Sequence, residues 1–86
     1  MPKLLNNSNE NAKEYNSKGI LLFEGEYLNG KRSGKGKEYY HGKLEFEGEY
    51  LNGKRNGKGK EYDDNGDLIF EGEYLNGEKN GKGKEY

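Results

Sequence analysis

Lysine, arginine and glutamate make up most of the residues in this chain that could do chemistry, and they recur at fixed spacing. Gly25-Glu-Tyr-Leu-Asn-Gly30-Lys31 and Gly48-Glu-Tyr-Leu-Asn-Gly53-Lys54 fill the first seven positions of a phosphate-binding loop. The eighth is Arg32 or Arg55, where that loop needs a hydroxyl, and the lysine should open a helix whose N–H groups cradle phosphate. Alternating residues around the first glycine read as a strand instead, so no nucleotide site is expected. Glu24 with Glu26, or Asp63 with Asp64, could suggest acid–base catalysis, but they stand among lysines with no apolar pocket to shift a pKa. His41 is the single histidine and there is no cysteine, which removes zinc ligation, thiol chemistry and disulfides. No catalytic residue, metal or cofactor is expected, and the chain does not read as an enzyme.

Contact chemistry fits better. Lys31, Arg32, Lys35 and Lys37 fall in one hairpin, Lys54, Arg55, Lys58 and Lys60 in the next, and Glu78, Lys79, Lys82 and Lys84 in a third. Stacked tips would align these cations along one edge, each worth about 1 kcal/mol against an anionic surface. Lys31, Arg32, Lys35, Lys54, Arg55, Lys58, Lys79 and Lys82 are therefore candidate contacts for a partner protein or anionic phospholipid. The plainer reading, and the one preferred, is a solvated rim that stops sheet edges from aggregating. A second candidate is an aromatic strip of Phe23, Tyr27, Phe46, Tyr50, Phe70 and Tyr74, either open to a peptide or serving as the only core.

The elements that must position these groups are repeats. Phe46 to Tyr62, FEGEYLNGKRNGKGKEY, recurs at Phe23 with Ser33 as the one change, and at Phe70 with Glu78 and Lys79 as the changes. Start points 23 and 24 residues apart imply an array of small supersecondary units, none able to bury its apolar face alone. Phe-Glu-Gly-Glu-Tyr has the period of two of a half-exposed strand. Asn52-Gly53 opens a turn, Asn56-Gly57 closes it about four residues later, and Lys58 to Tyr62 returns. Lys13 to Gly19 mirrors Lys60 to Gly66, so the chain begins with half a unit, while Tyr40-His41-Gly42 is a turn one residue shorter. About seven strands follow, at 12–16, 20–28, 35–40, 44–51, 58–62, 67–75 and 82–86. The reading is all-β: an elongated, single-layer antiparallel meander of β-hairpins. Residues 1–12 read as a flexible leader, 13–22 as the half repeat, and 23–45, 46–69 and 70–86 as full repeats. Gly25, Gly48 and Gly72 are expected to leave room for a ring from a neighbouring strand.

With 36% charged and 28% hydrophobic residues, only the periodic aromatics argue against disorder. The net charge of -1 gives no pull toward nucleic acid, so any electrostatic partner must meet a local patch. No signal peptide or long apolar span is visible, and a cytoplasmic protein is expected, with peripheral membrane attachment as the alternative.

Phe46-Glu-Gly-Glu-Tyr50, Asn52-Gly53 and Gly57-Lys-Gly59, with their counterparts from Phe23 and Phe70, resemble the MORN repeat over about residues 13–86. The joins KEYY-HGKLEFEGEY and KEYDDNGDLIFEGEY resemble the variant repeat of bacterial YwqK-type proteins. Where the common form has an aromatic residue soon after Gly-x-Gly, this chain has Glu38, Glu61 and Glu85, and the ring moves to Tyr39, Tyr62 and Tyr86. The resemblance implies an elongated antiparallel sheet acting as a non-catalytic scaffold or protein-interaction module. The alternative is a peripheral module that binds anionic phospholipid through the basic tips. The array stops on a strand without a capping unit, which predicts either an edge-to-edge homodimer or a continuing chain.

Overall fold

The computed structural model describes residues 10–86, so residues 1–9 of the expected leader lie outside the described residues. Seven strands follow one another: β1 (Glu10–Tyr15), β2 (Leu21–Leu28), β3 (Lys31–Tyr40), β4 (Lys43–Leu51), β5 (Lys54–Tyr62), β6 (Leu68–Leu75) and β7 (Glu78–Glu85). Each pairs antiparallel with the next, giving one open meander in the order β1 to β7. Its thinnest dimension is 14 Å, that of a single layer with its side chains. β1 starts at Glu10, inside the segment read as leader.

The return strands begin earlier than the sequence suggested. Asn52 and Gly53 have φ of 51° and 88°, so they close a two-residue turn by themselves, and β5 resumes at Lys54 instead of residue 58. Two positive φ values match the right-handed twist of the flanking strands, which is why Asn-Gly suits such turns. Asn56-Gly57 closes no loop. It lies within β5, where Gly57 takes a φ of 107° and the β4–β5 register slips between Gly48 and Tyr50. The slip is of two residues, so alternation is kept across the bulge and Arg55, paired with Tyr50, stays on the same face as Gly59 and Glu61. The opposite edge is built as the repeat predicted. The Asn16 carboxamide accepts from Lys18 N and Ile20 N at 2.8 and 3.0 Å, and the Asp63 carboxylate accepts from Asn65 N and Asp67 N at 2.9 Å each. His41-Gly42 makes the shorter turn between β3 and β4.

Among the described residues, one face of the sheet holds the buried side chains: Phe23, Phe46, Tyr50, Phe70 and Tyr74, with Tyr27 packed against them. The rings meet edge to face. Tyr50 stands 5.1 Å from Phe23 and 5.8 Å from Phe46, and Tyr74 repeats this at 5.2 Å from Phe46 and 5.9 Å from Phe70. Each tyrosine thus joins its own unit to the preceding one. The glycines serve this packing, though not as expected. The Phe46 ring lies across Gly59 of the return strand, where a Cβ would sit 2.5 Å from its Cζ. Gly48 pairs directly with Gly59, and its own Cβ would stand 2.5 Å from the Lys58 carbonyl oxygen. The ring bed is therefore the second glycine of the pair, and the first lets the two backbones close under it.

Candidate functional site

Register decides where the cations go. Arg32 pairs with Tyr27 and Arg55 with Tyr50, so both arginines lie on the aromatic face and not in a solvated tip. The Arg55 guanidinium sits 3.9 Å above the centre of Phe46, while its Nε and Nη2 each donate to Glu38 at 3.0 Å. Glu38 also accepts from the Tyr50 hydroxyl. The preceding unit repeats the arrangement with Arg32 4.0 Å over Phe23, bidentate to Glu14 at 3.0 Å, and with the Tyr27 hydroxyl on the same carboxylate. In the third, Lys79 Nζ stands 4.0 Å over Phe70 and 3.9 Å from Glu61, which accepts from Tyr74. Longer contacts of 4.0 Å from Arg32 to Glu38 and 3.8 Å from Arg55 to Glu61 link the three groups into one line.

The electrostatics follow from this geometry. The Arg32 hydrogen bond holds Glu14 below the usual carboxylate range. Burial works to raise Glu38, but hydrogen bonds from Arg55 and Tyr50 and the two guanidinium charges outweigh it, so its carboxyl also ends lowered. Burial and the Glu14 carboxylate push the Tyr27 phenol up to about 12, and Tyr50 and Tyr74 are raised for the same reasons by burial and by Glu38 and Glu61. This is a stabilising device. An Arg stacked on a ring and forked onto a carboxylate is matched in geometry as well as charge, and each such hydrogen bond to a charged group is worth about 1.5–3 kcal/mol where water is excluded.

The candidate residues thus divide. Phe23, Phe46, Tyr50, Phe70 and Tyr74 are buried beneath Arg32, Arg55 and Lys79, and Tyr27 is half-buried beside them. The hairpin tips do share one edge, since Gly53 N donates to Arg32 O and Gly77 N to Arg55 O, each at 2.9 Å. Of the candidate cations, Lys31 and Lys54 remain exposed at that edge, and Glu78 takes the third position. Lys35, Lys58 and Lys82 are elsewhere, on the face opposite the rings.

That opposite face is a groove of about 1500 Å³ running across all seven strands, lined by seven lysines and five glutamates. Strand alternation generates its pattern. Each return strand presents Lys-Lys-Tyr, as in Lys58, Lys60 and Tyr62, and each Phe strand presents Glu-Glu-Leu, as in Glu47, Glu49 and Leu51. One row therefore alternates in sign strand by strand, Lys37 opposite Glu47, Glu47 opposite Lys60 and Lys60 opposite Glu71. Four of the five carboxylates are already engaged. Glu24, Glu47 and Glu71 accept from the hydroxyls of Tyr39, Tyr62 and Tyr86, and Glu49 accepts from Lys58 N at 3.0 Å. Burial, with the carboxylate beside each, pushes the phenols of Tyr39 and Tyr62 up to about 12. The lysines have no such ties: among the described residues, no ion pair within 4.0 Å joins a groove lysine to a carboxylate.

Sequence reasoning did not find Glu14, Glu38 and Glu61 as the hubs of the core face, nor the tyrosines as the groove's margin. The signal was the displaced aromatic after Gly-x-Gly, which puts glutamate on one face and tyrosine on the other. Among the described residues no cluster of His, Cys, Asp or Glu could hold a metal ion, and His41 is an exposed turn residue with its ring 4.2 Å from that of Tyr40.

Comparison with known proteins agrees with the repeat. The MORN repeat family profile matches residues 23–43, 46–68 and 70–86, one match per hairpin unit. No curated protein and no solved structure matches the chain. Since these three matches take in well over half of the residues, in register with the strands, the chain belongs to the MORN-repeat family.

Proposed function

We propose that the chain is a non-catalytic protein-interaction module whose docking surface is the groove on the Lys/Glu face. MORN repeats are commonly interaction repeats and form a non-enzymatic family. One observation carries the choice of surface: the groove crosses every strand, and its lysines have no carboxylate within 4.0 Å among the described residues while four of its five glutamates are engaged internally. The other face offers a partner little, because its rings are buried and its cations paired. For lipid binding through the tips, Arg32 and Arg55 are unavailable, being held by Glu14 and Glu38.

The test is to select peptides against the folded chain by display and map the tightest ones by amide chemical shifts on isotope-labelled protein. Shifts clustered at Lys35–Lys37, Gly48 and Lys58–Lys60 are expected. Shifts confined to the tips, together with pelleting on phosphatidylserine vesicles at physiological salt, would replace this reading with the membrane one.

A further inference from the structure

The groove carries a ruler. Lys35 and Lys37 on β3, Lys58 and Lys60 on β5, and Lys82 and Lys84 on β7 form three lysine pairs, separated by two strand spacings or about 9.6 Å. The glutamates of β4 and β6 stand between them. A row that alternates with this period cancels itself quickly, its field fading over roughly 1.5 Å of height, so only a ligand seated in the groove reads it. A flat headgroup surface does not enter a trough. A chain lying across the strands does.

The period selects that chain's conformation. An α-helix has no whole number of residues that fits: six advance about 9.0 Å with the acids about 120° apart round the helix, and seven advance about 10.5 Å, overshooting by about 0.9 Å and drifting about 20° at each step. An extended β-strand covers the distance in about three residues, but its side chains alternate, and every second acid would point away. A polyproline II helix has three residues per turn and rises about 9.3 Å per turn, so every third residue returns to the same side within a few tenths of an ångström. The flanks suit it as well. The groove itself is lined by lysine, glutamate and glycine, and strand alternation puts Tyr39, Tyr62 and Tyr86 beyond one side of it and Leu28, Leu51 and Leu75 beyond the other, with Leu51 and Leu75 about half exposed. Prolines of such a helix pack on rings and aliphatic surface of this kind.

Resting on the reading of the groove as a protein-docking surface, we infer that the partner is a polyproline II segment with an acidic residue at every third position. Its carboxylates fall between the two lysines of each return strand, over Gly36, Gly59 and Gly83. Its other two positions face the tyrosine and leucine margins and solvent.

The experiment measures binding of fluorescently labelled Glu-Pro-Pro repeats, long enough to span β3 to β7, by anisotropy. Competitors carry the same number of glutamates as Glu-Pro repeats, as Glu-Pro-Pro-Pro repeats, or on a helix-forming alanine background. The period of three is expected to bind about tenfold tighter than each. Lys58→Gln with Lys60→Gln is expected to weaken it about tenfold. Lys31→Gln with Lys54→Gln at the tips is expected to leave it unchanged. Equal affinity across the spacings, a preference for the helical peptide, or no binding by any of these peptides overturns the inference. So does indifference to the Lys58/Lys60 change. The display selection separates the two ideas: selected peptides that map to the groove without a period of three acids leave the docking reading standing, whereas none mapping there removes both.

Discussion

The two faces of this sheet put cations and glutamates to opposite ends, arginine leading on one and lysine alone on the other, and what separates them is the layer behind each charge. On the ring face, Arg55 lies on Phe46 and forks onto Glu38, and Glu38 is closed in by Tyr50. On the groove face, Lys60 stands opposite Glu47 in the register, yet no ion pair forms and Glu47 turns to Tyr62. A charge with a ring under it loses water and must find a fixed partner; one over open backbone keeps its water and remains available. The difference teaches that side-chain burial, and not the density of opposite charges, assigns these residues to fold or to function.

The sharpest ways to break this contrast are in the ring bed. Gly48→Val places carbon against the Lys58 carbonyl and the Gly59 Cα, where backbone cannot give, and is expected to cost about 3 kcal/mol or more, measured by urea unfolding. Glu38→Ala leaves the half-buried Arg55 and the buried Tyr50 without their acceptor. About 2–3 kcal/mol is expected, a fall in Tm of roughly 10–20 °C in calorimetry. Lys79→Arg should act in the other direction. It restores the fork that the first two units have, and a gain of about 0.5–1 kcal/mol is expected because the site is partly exposed. Lys60→Gln on the groove face is expected to change stability by less than about 0.5 kcal/mol. A large loss there would erase the distinction between the faces.

Titration sharpens the same comparison. Tyrosines raised above 10.0 stabilise the fold while they stay protonated, so their contribution is complete below pH 10 and is lost as pH rises toward about 12. Glu14 and Glu38 are lowered from 4.5, and their contribution is complete above that value and lost as pH falls through their folded values. Circular dichroism melts at intervals across both limbs are expected to fall at each end. In Glu38→Ala the acid limb is expected to be shallower.

Much of this was legible in the residues. The period gave the units, the alternation gave the strands, and the mirrored stretches around Asn16 and Asp63 gave matching turns with matching side-chain acceptors. What stayed hidden was the start of each return strand. Asn52-Gly53 and Asn56-Gly57 look alike as dipeptides, but one closes a two-residue turn and the other carries a positive φ inside a strand. Only the pairing partner distinguishes them. That ambiguity placed Arg32 and Arg55 in a loop, so they read as tip cations when they are lids on the rings. Glu38 and Glu61 were unreadable for another reason. Each is one glutamate among many, and its role comes from a tyrosine 12 or 13 residues further along the chain.

Glu38 belongs to one unit, yet it satisfies the Tyr50 and Arg55 of the next, as Glu61 does for Tyr74. The dependence runs one way. Each hairpin inherits its acceptor from the one before it and bequeaths another to the one after, so the array has a grain like that of wood. A lesion at Glu38 is expected to loosen β4 and β5 more than β2 and β3, and hydrogen exchange would record it as protection lost on one side of the cut.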